Sequence, residues 1–357
     1  MKTVIPGTLP LLGALLLLML SLIQLAGQSP VPLAQLGLNL LLILCALSAC
    51  SAVLSPGRAL LFALTLAAGA LWQALLPLHG LTLSALALLA VVSVQRLARA
   101  PVSASAVAAL FGLWMLGFWQ MLVSGFDVPQ VILPAPLAIA AALVESADLL
   151  AGDILQTVIK SALVGYLLGS GLGIAVALVI DRLPFLQRGL LPLANLTSTV
   201  PLVGIAPIAV MWFGFDWPSK AAVVVLVTFF PALVSTLAGL KASGKLEQEL
   251  MYCYAATPRQ RLRALRLPVA MPFIFSALKV NATLSLITAI VAEFFGSPTA
   301  GLGFRISTES ARMHMPVVWS AIVVASVAGS VMYALLVRLD RRVNFWHPTV
   351  RGTAAEK

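Results

Sequence analysis

Long stretches of this sequence carry no charge. The runs 3–57, 59–95, 100–126, 161–180, 189–215, 221–240 and 313–337 contain no Asp, Glu, Lys or Arg. A helix crosses a bilayer core with about 20 apolar residues, so these runs hold single or paired spanning helices. Backbone groups in lipid must be bonded within a helix or a closed barrel. A barrel would need apolar and polar residues in alternation, and these runs show no such pattern. Charged residues make up 10% of the chain and the AVILMFWYC set 61%, where a soluble domain has about 25% charged. That excludes a soluble enzyme, a nucleic-acid binder and a disordered tail. The expected fold class is all-α, a polytopic membrane protein of about ten transmembrane helices.

The spans fall at about 8–26, 32–54, 58–76, 80–96, 104–124, 155–181, 189–213, 218–240, 270–292 and 316–338. Turn residues separate them, including Ser55-Pro56-Gly57 and Phe215 to Pro218. The apolar stretch 8–26 is longer than the hydrophobic part of a secretory signal (~7–15 residues) and reads as a retained first helix. The apolar segment from Val128 to Asp153, broken by Pro129, Pro134 and Pro136, reads as an interfacial helix on the outer face.

Ten spans put both ends on one side. With the N-terminus in the cytoplasm, 17 of the 22 Lys and Arg lie inside and 3 outside, Lys220, Arg305 and Arg312. Positive charge concentrates on the cytoplasmic side of membrane proteins, so both termini are expected there. The net charge of +10 is then a fringe against anionic headgroups. It calls for membrane lipid as a partner and for no nucleic acid. Cys45, Cys50 and Cys253 read as free thiols, and His314 and His347 lack metal-site spacing.

The chain changes character near residue 100. Residues 1–100 are Leu/Ala-rich, with almost nothing polar inside the helices. Later spans carry Pro, Gly, Asn, Thr and Lys at membrane depth. The seventh span holds Asn195, Thr199, Pro201 and Pro207. Prolines remove backbone donors, and broken helices are tolerated where they line protein or water. This span is the main candidate for the wall of a solute path, against a kinked packing helix. In the ninth span Asn281, Ser285 and Thr288 share a face, read either as path lining or as helix–helix hydrogen bonding. Glu293 ends that span, and an ionisable group there is a candidate gate or structural cap. Gly165, Gly169 and Gly173 recur every fourth residue, which lets a neighbouring helix approach closely.

The longest hydrophilic segment, 241–268, accommodates two short cytoplasmic helices. Thr257-Pro258 is a strong start signal for the second, Thr257 as N-cap and Pro258 at the first helical position. Gly239-x-x-x-x-Gly244-Lys245-Leu246 is one residue from a nucleotide-binding loop. Leu246 replaces the hydroxyl that would hold magnesium, and a membrane span replaces the preceding strand, so no nucleotide is expected to bind here.

Segment 241–268 resembles the EAA loop of ABC-importer permeases. Counting back from Leu267-Pro268, the family's aliphatic falls at Leu265, its glycine at Ala255 and its glutamate at Glu249; Ala256-Thr257 match its small residue and helix cap. Trp119-Gln120, Ile132-Leu133-Pro134-Ala135-Pro136, Val200-Pro201, Trp212-Phe213-Gly214, Ala292-Glu293-Phe294-Phe295-Gly296 and Gly301-Leu302-Gly303 are similar in order and spacing to permeases of the nitrate/sulfonate/taurine type.

The resemblance implies a six-helix permease core over 101–345, preceded by a four-helix extension at 1–100 and followed by a tail at 346–357. It implies a bacterial inner-membrane transport subunit, not an enzyme, that binds no cofactor itself. ATP and Mg would be used by partner ABC ATPase subunits gripping Glu249, Ala255, Ala256, Thr257, Leu265, Leu267 and Pro268. The other implied partners are a soluble substrate-binding protein and a second copy of the permease or a homologous one. The solute would be small and polar, like nitrate, sulfonate or taurine, or like a pyrimidine thiamine precursor or riboflavin. An ion-coupled secondary transporter is the alternative, and it usually needs more intramembrane carboxylates than Glu293 alone.

Overall fold

The computed structural model describes residues 104–183, 185, 202–296 and 299–347. The first four expected spans, Cys45, Cys50, and the path candidates Asn195, Thr199 and Pro201 lie outside the described residues. Among the described residues all regular structure is helical. The helices are α1 (Ala104–Gly125), α2 (Pro136–Glu145), α3 (Ala147–Ile180), α4 (Leu202–Phe213), α5 (Trp217–Lys241), α6 (Lys245–Cys253), α7 (Pro258–Glu293), α8 (Leu302–Ala311) and α9 (Met315–Val343). Five of these, α1, α3, α5, α7 and α9, are long and apolar enough to cross a membrane.

The fifth, eighth and tenth expected spans match α1, α5 and α9 within a few residues. Three expectations need correction. The segment 128–153 is not one interfacial helix. It breaks into α2 and the first two turns of α3, which runs unbroken into the span. The ninth span is not separate from the second loop helix; both belong to the 36-residue α7. Helix α8 was not anticipated, because ten residues holding Arg305 and Glu309 do not read as a span.

Local chemistry explains these joints. A π-helical turn, Leu262–Arg266, sits directly before Leu267-Pro268. Pro268 offers no N–H and its ring crowds the carbonyl four residues back; a widened turn accommodates both, so α7 continues. A second π-helical turn, Leu155–Leu163, lies within α3. Helix α5 starts sharply because the Asp216 carboxylate accepts from the Trp217 N–H at 2.8 Å and Pro218 follows.

The chain divides into two compact units at residue 141. In the first, the Gln120 side chain accepts from the Leu137 N–H at 3.0 Å and donates to Ser124 at 3.1 Å. Gln120 thus satisfies a free donor at the start of α2. In the second unit, α3, α5 and α7 form the packed centre. Lipid tails are as apolar as Leu, so close contact and hydrogen bonds hold such helices together. Gly165, Gly169 and Gly173 of α3 provide that contact. A Cβ at Gly165 would lie 2.5 Å from Val224 Cβ, and one at Gly169 would lie 2.6 Å from the Val225 carbonyl. Toward the C-terminal end of α3 the seam continues through Ala177, Ile180, Leu233 and Leu237.

Candidate functional site: the loop 241–268 and the buried carboxylate cluster

The loop 241–268 consists of two capped helices. Gln248 donates from Nε2 to the Ser243 hydroxyl (2.7 Å) and carbonyl (3.1 Å), which fixes the entry to α6. At the exit, the Ala256 N–H bonds the Met251 carbonyl (3.0 Å) and the Ala255 N–H bonds the Tyr252 carbonyl (2.9 Å). These two bonds form a Schellman motif, which puts its C′ residue in the left-handed region. That residue is Ala255, with φ +51°. A side chain there is strained and glycine is not, so the position aligned with the family's glycine is the one whose backbone asks for glycine.

Two residues later the second helix begins with a complete capping box. The Thr257 hydroxyl accepts from the Gln260 N–H, and Gln260 Oε1 accepts from the Thr257 N–H at 2.8 Å. Glu249 is exposed, as are Leu246, Leu250, Tyr252, Cys253 and Tyr254. Leu265, Leu267 and Pro268 are half-buried where the loop rejoins the bundle.

Arg266 closes the base of this loop. Its guanidinium grips the Asp181 carboxylate through two bonds of 2.7 and 2.8 Å, and Nε donates to the Leu240 carbonyl at 3.1 Å. Asp181 caps the C-terminus of α3, and Leu240 lies in the last turn of α5. Free carbonyls and a carboxylate at helix C-termini both favour a cation.

Near the middle of the bundle, Asn281 Nδ2 donates to the Ser170 hydroxyl (3.0 Å) and the Thr228 carbonyl (2.7 Å). One amide therefore ties α7 to both α3 and α5. Ser285 and Thr288 are buried on the same helix, and Ser285 bonds back to the Ala282 carbonyl. The structure places all three residues inside the packing of this chain.

At the other end of α7, Glu293 is buried. Its carboxylate accepts from the Thr157 hydroxyl at 2.8 Å and from the Gly303 N–H at 2.8 Å. Thr157 in turn accepts from the Leu302 N–H at 2.7 Å. Asp153, 1% exposed, accepts from the Gly301 N–H (2.7 Å) and from Arg305 Nε (2.8 Å). The first free N–H groups of α8 thus meet two carboxylates and a hydroxyl, the arrangement a helix N-terminus favours. Gly301 has φ +137°, and a Cβ there would stand 2.6 Å from the Glu293 carboxyl carbon, so this approach requires glycine. Lys220, 1% exposed, donates to the carbonyls of Phe215 and Gly296, joining the start of α5 to the chain beyond α7.

Outside the span, exposed Asp216 is held below the usual carboxylate range, chiefly by the Gln156 amide at 2.9 Å and then by the Trp217 N–H.

The sequence pointed to Glu293 and to the loop residues. It missed Asp153, Thr157, Arg305 and Lys220 around Glu293, and the Asp181–Arg266 pair at the base of the loop. By sequence Asp153, Lys220 and Arg305 read as charges at the outer membrane boundary. For Asp153 and Lys220 the one signal was a charge bordering an otherwise apolar run; Arg266 stands among the other arginines of its loop and Thr157 carries no charge, so neither stood out. Among the described residues, no three His, Cys, Asp or Glu side chains are grouped to hold a metal.

Residues 169–345 match a family model described as the binding-protein-dependent transport system inner membrane component. The chain is similar to the formylaminopyrimidine transport permease protein ThiX of Halalkalibacterium halodurans, with 30% identity over 66% of this chain and 94% of that protein. It is similar to the putative aliphatic sulfonates transport permease protein SsuC of Bacillus subtilis, with 26% identity over 67% of this chain and 86% of that protein. It is also similar to the riboflavin transport system permease protein RibX of Chloroflexus aurantiacus, with 28% identity over 65% of this chain and 87% of that protein.

Proposed function

The chain belongs to the family of binding-protein-dependent transport system inner membrane components, and from that premise we propose how its parts divide the work. It is a multi-pass inner-membrane permease subunit of an ATP-driven importer. The loop 241–268 is the docking lever for a separate ABC ATPase. Glu249 and the exposed apolar residues of α6 form the gripped face. Ala255, Ala256 and Thr257 set the angle between the two loop helices. Leu265, Leu267 and Pro268 carry the motion into α7. The observation that carries this reading is the left-handed Ala255, which supports the register of the loop against the family pattern.

ATP and Mg belong to the ATPase partner, and this chain holds no nucleotide. A soluble binding protein delivers solute from outside, and a second permease completes the path. Asn195, Thr199 and Pro201 line that path. Asn281, Ser285 and Thr288 hold the helices behind it. Glu293 is a structural cap on α8. The chain crosses the membrane about ten times with both termini in the cytoplasm. Residues 1–100 add four helices to the core at 101–345, and 346–357 form a tail. The solute is small and polar; the names of the relatives make formylaminopyrimidine, an aliphatic sulfonate and riboflavin the panel to try first.

Co-purification tests the docking role. An ATPase should come down with the full chain, and Cys253, exposed on α6, should crosslink to it. Replacing Glu249 or Ala255 with Arg should abolish ATP-driven uptake while membrane insertion persists. Normal uptake in both variants would remove the lever. Deleting residues 1–98 should leave an inserted core, and loss of that core would show that those helices are part of it.

A further inference from the structure

Arg266 stands at the point where the loop closes on itself. The loop leaves the bundle after Leu240 and returns at Arg266, and one side chain joins the two ends, 26 residues apart. The same guanidinium is fixed by two parallel bonds to Asp181, 85 residues away at the end of α3. The Asp181 side chain is 9% exposed and that of Arg266 26%, so the pair is largely withdrawn from water. Arg fits this place and Lys does not: three separate N–H donors meet three acceptors in a fixed plane, where an ammonium would offer a single centre.

The surroundings are closely packed. Above the fork, α3 and α5 are pressed together along the glycine stripe. Beside it, Leu240, Ala270 and Ile274 form a buried cluster with Leu178, Leu262 and Leu267 packed against it. A Cβ at Gly239 would lie 2.9 Å from Ala270 Cα, so α5 and α7 also touch closely here. Below it, both loop helices are capped, as described. The connection between the loop and α7 runs through the π-helical turn Leu262–Arg266, with its widened hydrogen-bond spacing. Without the fork, a pull on α6 could be absorbed by flexing that turn.

We propose that Arg266 is a positioning residue: its fork on Asp181 and the Leu240 carbonyl makes the loop, α3 and α5 move as one body, so that a force on α6 reaches two spans besides α7. This rests on the docking reading, since only a gripped loop transmits force.

The test uses the full chain in lipid nanodiscs with its co-purified ATPase, after Cys45 and Cys50 are replaced by Ser. Spin labels are placed on native Cys253 and on Leu183→Cys, an exposed site just beyond α3. Pulsed EPR then gives the distance distribution with and without ATP–vanadate. In the parent protein the distribution should be narrow and should not shift with nucleotide. Arg266→Lys and Asp181→Asn, which keep side-chain volume, should each broaden it at least twofold while membrane accumulation and ATPase co-purification stay at parent level. The exchanged pair Arg266→Asp with Asp181→Arg, which restores the ion pair without the Leu240 bond, should narrow it part of the way.

Unchanged widths in both single variants would overturn the proposal, as would a parent distance that shifts with nucleotide. Failure of both conservative variants to accumulate would show a folding role instead and would equally overturn it. Absence of any co-purifying ATPase would strike the docking reading alone, because the widths are read without nucleotide as well.

Discussion

Thr157 and Glu293, 136 residues apart in sequence, meet at 2.8 Å inside the end of the bundle opposite the loop 241–268. The contact joins α3 to α7, and the same two side chains bind the first N–H groups of α8. Removing the carboxylate strands the Gly303 N–H and the Thr157 proton. A buried unpartnered group costs about 1–3 kcal/mol, so Glu293→Ala should cost about 3 kcal/mol. Glu293→Gln keeps one acceptor and should cost roughly 1 kcal/mol on the same basis. Thermal unfolding midpoints in detergent, ranked parent, Gln, Ala, would bear this out. Equal midpoints for all three would show that the carboxylate does not hold the helices.

The glycine stripe gives a paired test. At Gly169 a new side chain would run into the Val225 backbone, whereas at Gly171 nothing lies within 4 Å. Overpacking a tight contact costs about 1–3 kcal/mol, and backbone on the far side yields least. Gly169→Leu should therefore sharply reduce folded protein in the membrane, while Gly171→Leu should leave it near the parent level. Protease resistance of the inserted protein is the measurement, and similar yields for the two variants would refute the close approach of α3 to α5.

Ala255 carries a side chain where the Schellman turn favours none. The left-handed conformation costs an L-residue roughly 1–2 kcal/mol, partly offset by the greater freedom of glycine in the unfolded chain. Ala255→Gly should stabilise the loop by about 1 kcal/mol, and Ala255→Val should destabilise it by more, because β-branched residues tolerate positive φ poorly. Hydrogen exchange across residues 245–262 would report slower opening for Gly and faster for Val. The reverse order would mean that the turn does not hold this geometry.

Asp216 offers a pH test outside the membrane. Hydrogen bonds from Gln156 and the Trp217 N–H hold its carboxyl below the usual range. A lowered folded value means its contribution is fully present above the ordinary carboxylate pKa and fades as pH falls through the folded value. Stability should decline on that acid limb, and Asp216→Asn should flatten the part of the decline due to this residue. Because the group is exposed, the effect should be small and weaker at high salt. Parallel acid limbs in parent and variant would show that the side chain does not contribute.

What the sequence determined alone is whatever depends on residues close together along the chain. Among the described residues the uncharged runs mark α1, α5, α9 and most of the spanning part of α3, because a bilayer penalises charge wherever the chain folds. Thr257-Pro258 set a helix start, and the four-residue spacing of Gly165, Gly169 and Gly173 marked a close contact, because both are local helix geometry. The tertiary structure decided what depends on meetings across the chain. Asp153 became a buried anchor instead of a polar boundary residue because Arg305 and the Gly301 N–H reach it. Asn281 became a bond between three helices because Ser170 and Thr228 face it. Arg266, one basic residue among several in its loop, became a fork because the last turns of two distant spans end beside it. Charge, hydroxyl and amide are visible in a sequence, but their partners are chosen by packing, and the partner decides whether a buried polar group fastens a bundle or breaks it.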